Sequence, residues 1–261
     1  MSNGTRSARW REWVAAGLLA AAVGGGWFFT GDDPARQLHD EIQTNTLDRF
    51  EKSRELLFNE IDRTPGDSLR CVYSGTMVPL AGAEGKLKPP TDVGVDIEHT
   101  WACNADWVEP SYHFDREASV AGADLHNLYP VRAGPNRSRG NHAFGELPDD
   151  ARELWIKANG SLDKTGRGTA TGSFRDENCL GTVVFEPRDD HKGNVARSMF
   201  YMSVRYWMPI PDDMERTLRA WHELDPVDEA ERDRNARIEQ AQGNRNPFVD
   251  DPEFVELIAD F

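Results

Sequence analysis

Positive charge is scarce in this chain of 261 residues. Lysine occurs six times, against 24 arginines and 45 acidic residues, and the net charge is −15. Such a surface repels a polyanion, so a nucleic-acid site here requires a local basic patch or a metal ion. The acid excess also fits a solubility device for a salty or extracellular setting. Cysteine is nearly missing: Cys71, Cys103 and Cys179 form no CxxC pair, which argues against a structural zinc site. One disulfide with a leftover thiol is compatible with three pairings. There are no internal repeats, and no low-complexity linker beyond residues 30–35. Eight Trp and twelve Phe argue against disorder, and the length suffices for one large domain or two small ones.

The one long apolar run is N-terminal. Arg6, Arg9 and Arg11 precede uncharged residues 13–29, a span at the short end of a membrane-crossing helix. Ala20-Ala21-Ala22 offers a cleavage site of the kind that ends a signal peptide, while Trp27, Phe28 and Phe29 suit a membrane interface. Residues 1–33 are therefore either a cleaved signal peptide or an uncleaved anchor. Asp32 and Asp33 follow the run, so positive-inside orientation puts residues 34–261 in the periplasm or outside the cell.

Beyond that segment the patterning predicts a single α+β domain. Leu47, Phe50, Leu57 and Ile61 make one helical face within 34–62, with Asn45 or Thr46 as N-cap and Pro65-Gly66 as the stop. Strands are expected at 69–78, 94–101, 125–130 (closed by Pro130), 153–159 and 180–186. A Gly/Pro/Asn-rich stretch from Ala133 to Gly140 leads toward a helix. Three later helices are expected: one capped by Asn194 with a Val195/Met199/Met202/Tyr206 stripe, one opening at Asp212 or Asp213, and one opening at Asp228 with Glu231 and ending near Gly243.

Four polar stretches stand out from this frame: "IEHTW" at 97–101, "DLHNLYP" at 124–130, "NRSRGN" at 136–141 and "QGNRNPF" at 242–248. Each has an ordinary structural reading as a strand end, a hydrogen-bonded strand, a turn or a helix C-terminus. Glu98 and His99 pose a sharper problem, because adjacent residues on a strand face opposite ways. They serve one site only where the strand ends or bends.

Taken together and in this order, these stretches resemble the endonuclease I family, secreted or periplasmic bacterial nucleases with a ββα-metal (His-Me finger) active site. The resemblance covers roughly residues 95–255 and extends to "NRSRGNHAFGE", "KGNVARSMFYM" and "RDRNARIEQAQGNRNPFVDDPEFVE". One departure is Ala102, where the family usually has proline; Cys103 beside it is also unusual. The resemblance implies an α+β fold with a His-Me finger core and flanking helices. It implies His99 as general base, and Glu98 with Asn136, at the start of the finger helix, as protein ligands of one Mg²⁺ or Mn²⁺ ion. It further implies Arg116 or Arg139 on the scissile phosphate, with Asp124, His126 and Asn127 as supporting residues. Arg132, Arg137 and Arg139 supply the basic patch for nucleic acid. The expected activity is sequence-nonspecific cleavage of DNA, with RNA as a second substrate class, to 5′-phosphate and 3′-hydroxyl ends by a monomer outside the cytoplasm. The alternative is a membrane-tethered module, held through residues 13–29, that binds nucleic acid or an envelope partner without turnover. The joint presence of Glu98, His99 and Asn136 favours the enzyme.

Overall fold

The computed structural model describes residues 33–83, 86–147, 154–157, 159–163, 174–177 and 183–261. The apolar run 13–29 and Cys179 lie outside the described residues. Among those described, no helix is long and apolar enough to cross a membrane, and Cys71 and Cys103 are free thiols.

Two helices stand where one was expected over 34–62. Helix α1 spans Pro34–Glu41 and α2 spans Phe50–Leu56, running on into a wider π turn at Leu57–Ile61. Local side chains cause the break. The Asn45 Oδ1 accepts the Leu47 N–H at 2.8 Å, and the Thr46 N–H leaves the helix pattern for the Gln242 carbonyl at 3.0 Å. An asparagine that bonds its own chain two residues on favours a turn over a helix interior. The apolar face nonetheless holds, since Leu47, Phe50, Leu57 and Ile61 are all buried.

The stretch 69–78 is likewise a hairpin of two short strands, β1 (Ser68–Arg70) and β2 (Met77–Pro79). Strand β3 (Val95–His99) pairs antiparallel with β4 (Leu128–Arg132), placing Glu98 opposite Tyr129 and His99 opposite Leu128. Strand β4 begins three residues later than expected and continues through Pro130. Leu125–Asn127 form a 3-10 turn instead, because the Asp124 carboxylate accepts the His126 N–H at 3.0 Å. Pro130 has no N–H to give the ladder, yet its carbonyl accepts the Val72 N–H at 2.9 Å. A single-turn helix, α3 (Val120–Ala123), precedes β4, and α4 (Ala133–Arg139) follows it directly.

Strand β5 (Ala143–Phe144) runs parallel to β9 (Val183–Glu186) at the edge of a five-stranded sheet ordered β5-β9-β8-β6-β7, with β6 at Leu154–Ile156, β7 at Leu162–Asp163 and β8 at Phe174–Glu177. Helix α5 (Asp189–Tyr206) is the centre of the main core. It starts five residues before Asn194, with a kink at Asp190. Its Val195, Met199, Met202 and Val204 are buried with Trp101, Val131, Phe144, Phe185 and Trp221. Helices α6 (Asp212–Leu224), α7 (Glu229–Gln242) and the short α8 (Pro247–Asp250) complete the chain; Asp228 caps α7 and Gly243 ends it at φ 97°. A second cluster, with Phe50, Phe58, Ile97, Leu125, Leu128 and Ile238, lies on the other side of the β3–β4 ribbon. The ribbon is thus held between two apolar clusters, which fixes its register.

Away from the end of β3, His126 and His191 are buried in this frame and His222 is half-buried. Burial lowers His126 to about 4, His191 to about 3 and His222 to about 4. A histidine kept neutral when folded takes up its proton more readily when unfolded. Its contribution is present above the unfolded pKa of about 6.5 and is lost as pH falls toward the folded value. His191 sits between the rings of Tyr73 and Tyr129, with centroids at 6.1 and 5.1 Å. His191→Phe keeps that ring packing and removes the titration. Urea unfolding between pH 6 and 4 is expected to show a stability slope shallower than wild type by about 1.4 kcal/mol per pH unit. An unchanged slope would mean that the ring is already protonated in the folded protein.

Candidate active site

Strand β3 ends on the adjacent acid and imidazole that its alternation predicts should diverge. Asp96 and Glu98 point to one face and His99 to the other. Helix α4 packs on the acid face, and its residues three apart meet strand residues two apart. The Asn136 Nδ2 donates to Asp96 Oδ2 at 2.9 Å and to the Ile97 carbonyl at 3.4 Å. Asn136 is the fourth residue of α4, not its first. Both of its partners are pure acceptors, so the amide orientation follows from chemistry. Its Oδ1 therefore faces away from them and has no protein partner among the described residues.

Glu98 is only 2% exposed. Its Oε1 accepts the Tyr73 hydroxyl at 2.8 Å and lies 3.2 Å from Arg139 Nε. That N–H is not aimed at the oxygen, so the contact is an ion pair without a hydrogen bond. Oε2 receives no hydrogen bond from the described residues. Burial pushes the Glu98 carboxyl up to about 7, with Arg139 and Tyr73 pulling it down and Asp96 adding to the rise. A carboxylate of this kind gains from a cation placed on its open oxygen.

His99 lies on the opposite face, stacked on Phe50 with centroids 5.3 Å apart and near Phe114 at 6.4 Å. Its Nε2 is 3.0 Å from the Gly122 carbonyl. A carbonyl only accepts, so Nε2 carries the hydrogen and Nδ1 holds the lone pair. Burial lowers His99 to about 4, opposed by the Gly122 bond and reinforced by Arg116 and Arg139. Gly122 does a second job. A Cβ there would meet the carbonyl oxygens of Asp115 and Arg116 at 2.5 Å each. Its bare backbone lets the 115–116 segment pass and brings Arg116 beside the imidazole. The Asp115 carboxylate fixes that segment by accepting the N–H groups of Glu117 and Ala118.

The two arginines expected at the phosphate have different surroundings. Arg116 lies over the Phe50 ring at 4.5 Å and 3.9 Å from Asp96, with 46% of its side chain exposed. Arg139 is 1% exposed. Its Nη atoms donate to the carbonyls of His99, Thr100 and Gly140 at 3.4, 2.5 and 3.1 Å. The expected surface trio of Arg132, Arg137 and Arg139 is thereby narrowed: Arg137 is exposed, Arg132 is half-buried, and Arg139 is interior because the strand-end carbonyls claim its fork.

Asp124, His126 and Asn127 lie inside the protein. The Asn127 amide bonds the Trp101 backbone both ways, at 2.6 and 3.1 Å, so it closes the chain beyond His99 where the ladder stops. Asp124 accepts from the His126 N–H, Gln242, Asn45, Tyr201 and Tyr206. His126 Nε2 meets the Asn244 carbonyl at 3.3 Å. The "DLHN" and "QGN" stretches are thus two halves of one buried network. Tyr73, Asp96, Phe50 and Gly122 were not among the site residues expected from sequence; Phe50 was expected only in the apolar helix face. Asp96 carried a signal, being two residues before Glu98 on the same strand face. Tyr73 and Gly122 carried none, since their roles come from segments folded in from elsewhere.

The donor set suits a hard divalent cation. Glu98 Oε2 and Asn136 Oδ1 are oxygen donors without hydrogen-bond partners among the described residues, and no cysteine belongs to the set. Among the described residues, no three His, Cys, Asp or Glu side chains gather as a larger ligand cluster. A carboxylate and an amide with water completing the shell is the arrangement these residues can offer.

The Endonuclease I family profile matches residues 30–253. The chain is 35% identical over 251 residues to an extracellular ribonuclease of Bacillus subtilis (strain 168), covering 88% of this chain and 75% of that protein. It is 29% identical over 127 residues to a periplasmic deoxyribonuclease of Aeromonas hydrophila, covering 49% of this chain and 47% of that protein. An extracellular deoxyribonuclease of the same species is 30% identical over 127 residues, 49% of this chain and 48% of that protein. The match therefore spans about half the length of each deoxyribonuclease. With the strand-end acid and imidazole, the helix over the acid face and a match across most of its length, the chain belongs to the endonuclease I family.

Proposed function

We propose that this protein is a metal-dependent, sequence-nonspecific endonuclease of the ββα-metal type, acting outside the cytoplasm on DNA, with RNA as a second substrate class, and leaving 5′-phosphate and 3′-hydroxyl ends. The observation that carries the reading is the end of β3. One face of the strand end holds a neutral imidazole and the other holds two oxygen donors, and His99 Nδ1, Glu98 Oε2 and Asn136 Oδ1 have no hydrogen-bond partner among the described residues.

His99 acts as general base: Nδ1 takes a proton from water while Nε2–H stays on the Gly122 carbonyl and holds the ring in place. The low pKa keeps the ring unprotonated, and an incoming phosphate, offsetting Arg116, raises its basicity as substrate arrives. Glu98 Oε2 and Asn136 Oδ1 would hold one Mg²⁺ or Mn²⁺, with Asp96 fixing the amide of Asn136 and Tyr73 fixing the carboxylate. When bound, such an ion supplies Lewis-acid stabilisation of the charge that builds on the phosphate and the departing 3′-oxygen. Arg116, exposed and stacked on Phe50, is the better placed arginine to steady the phosphate. Arg137 and Arg132 extend the contact along the backbone, which carries no sequence information. Localisation outside the cytoplasm is supported by the extracellular and periplasmic names of the relatives.

The decisive experiment is incubation of the purified protein with supercoiled plasmid. Cleavage with Mg²⁺ or Mn²⁺, and its loss in excess EDTA, is the expected result; full activity in chelator would sink the metal assignment.

His99→Ala is expected to lose about 10²–10⁴-fold in turnover with folding retained. His126→Ala removes the Asn244 contact and the Tyr201 ring packing at 4.5 Å, so it is expected to lower thermal stability more than turnover. The reverse ranking of the two variants would move the base to His126.

Tyr73→Phe deletes the hydroxyl that donates to Glu98 and keeps the ring. Mn²⁺ titration followed by electron paramagnetic resonance is expected to show affinity weakened about 10-fold or more, the size typical of such supporting contacts. Unaltered Mn²⁺ affinity would mean that Tyr73 does not position the ligand.

A further inference from the structure

A cavity of about 600 Å³ lies along the first half of β3, lined there by Val95, Asp96 and Ile97. Asp96 and Arg116 line it beside the site, Phe50 and Phe58 are part of its wall, and Lys86 and Lys88 also face it. Its acids are already matched: Glu51 by Arg54 at 2.7 Å, Glu55 by Lys52 at 3.7 Å and Asp96 by Arg116 at 3.9 Å. Lys86 and Lys88 pair with no acid among the described residues. They are two of only six lysines in a chain of net charge −15.

Their position is fixed by Asn59. Its Oδ1 accepts the Leu87 N–H at 2.9 Å and its Nδ2 donates to the Leu87 carbonyl at 3.4 Å. The Leu87 side chain is buried, while Lys86 and Lys88 on either side of it are exposed and line the cavity. Asn59 follows Phe50 by nine residues along the α2 and π-turn axis, a rise of about 13 Å at the helical 1.5 Å per residue. That span matches the axial rise of about four phosphates along one strand of duplex DNA.

We infer that this cavity holds the sugar-phosphate backbone of the DNA strand flanking the cut, with Lys86 and Lys88 as phosphate contacts and Asn59 as the residue that positions them. The inference rests on the nuclease reading. Lysine suits the task as a mobile point charge for phosphate, and such contacts add affinity without base preference. Two cations without an acid partner among the described residues, held by Asn59 and displaced from the chemistry by several nucleotides, give the enzyme a grip on long substrates that the cleavage centre alone lacks.

The test uses the full chain, a fluorescein-labelled 16-base-pair DNA duplex and excess EDTA to hold off turnover, with anisotropy read across a sodium chloride series. Lys86→Ala/Lys88→Ala is expected to weaken binding about tenfold or more at low salt. It should reduce the slope of log affinity against log salt by about 1.8, two phosphate contacts at about 0.9 each. Asn59→Ala leaves both charges in place, so it should weaken binding while reducing the slope by less than the double variant. Plasmid cleavage by the wild type separates the two readings. If the wild type cuts DNA and the double variant keeps the wild-type slope, the groove assignment is overturned and the nuclease reading stands. If the wild type neither binds nor cuts DNA, the nuclease reading fails and this assignment falls with it.

Discussion

The frame depends on one buried carboxylate, Asp124, which pairs with no cation among the described residues. It is fully enclosed and takes five hydrogen bonds from them: from the His126 backbone and from Asn45, Tyr201, Tyr206 and Gln242. A buried charge is tolerable only when its lone pairs are met, and each donor left without it would lose about 1–3 kcal/mol. These donors come from the turn before α2, from α5 and from the end of α7. One side chain therefore joins three parts of the sequence and sets the turn from which β4 departs. From there the order passes outward: Asn127 closes the chain after His99, β4 registers β3, and α4 drops onto the acids of β3. The candidate site at the end of β3 inherits what Asp124 supplies.

Arginine use follows from the same economy of buried polar groups. Arg139 caps the strand-end carbonyls, Arg234 bonds the carbonyls of Leu125 and Leu128, Arg205 bonds that of Gln43 and Arg197 that of Asp225. A planar fork with five donors can satisfy several acceptors at once and still meet an acid, as Arg197 does with Glu231 and Arg234 with Asp62. Four arginines are thus committed to the interior. The charge count overstates how much cation is free to meet a polyanion, and a few exposed groups near the end of β3 carry more weight for that reason.

The family and the α+β class were legible because five stretches matched in order, and a local pattern repeated in order survives without knowledge of contacts. The helix ends at Asp228 and Gly243 were legible because caps are local. The single helix over 34–62 was not, since Thr46 leaves it for a carbonyl almost 200 residues away. The same holds at 125–130: alternation predicts a strand there, but Asp124 turns the first three residues into a 3-10 bend. Period-two reasoning placed Glu98 and His99 on opposite faces and contained Asp96 as well, although the amide it fixes lies on another element. Tyr73 and Gly122 act through approach alone, and nothing in their neighbours announces it. Site residues set by local order could be read; those set by packing could not.

The bonds from Thr46 to Gln242 and from Asp124 to Gln242 have a temporal consequence. They join segments about 200 and 120 residues apart, so the loop entropy of bringing them together is met only once the helix carrying Gln242 has been made. Until then the Asp124 carboxylate has too few donors to be buried, and the turn that launches β4 is unsupported. A growing chain on the ribosome therefore carries Glu98 and His99 long before it can align them. Whatever chemistry the finished centre performs is withheld from the nascent polypeptide and appears late, when the C-terminal helices lock the frame.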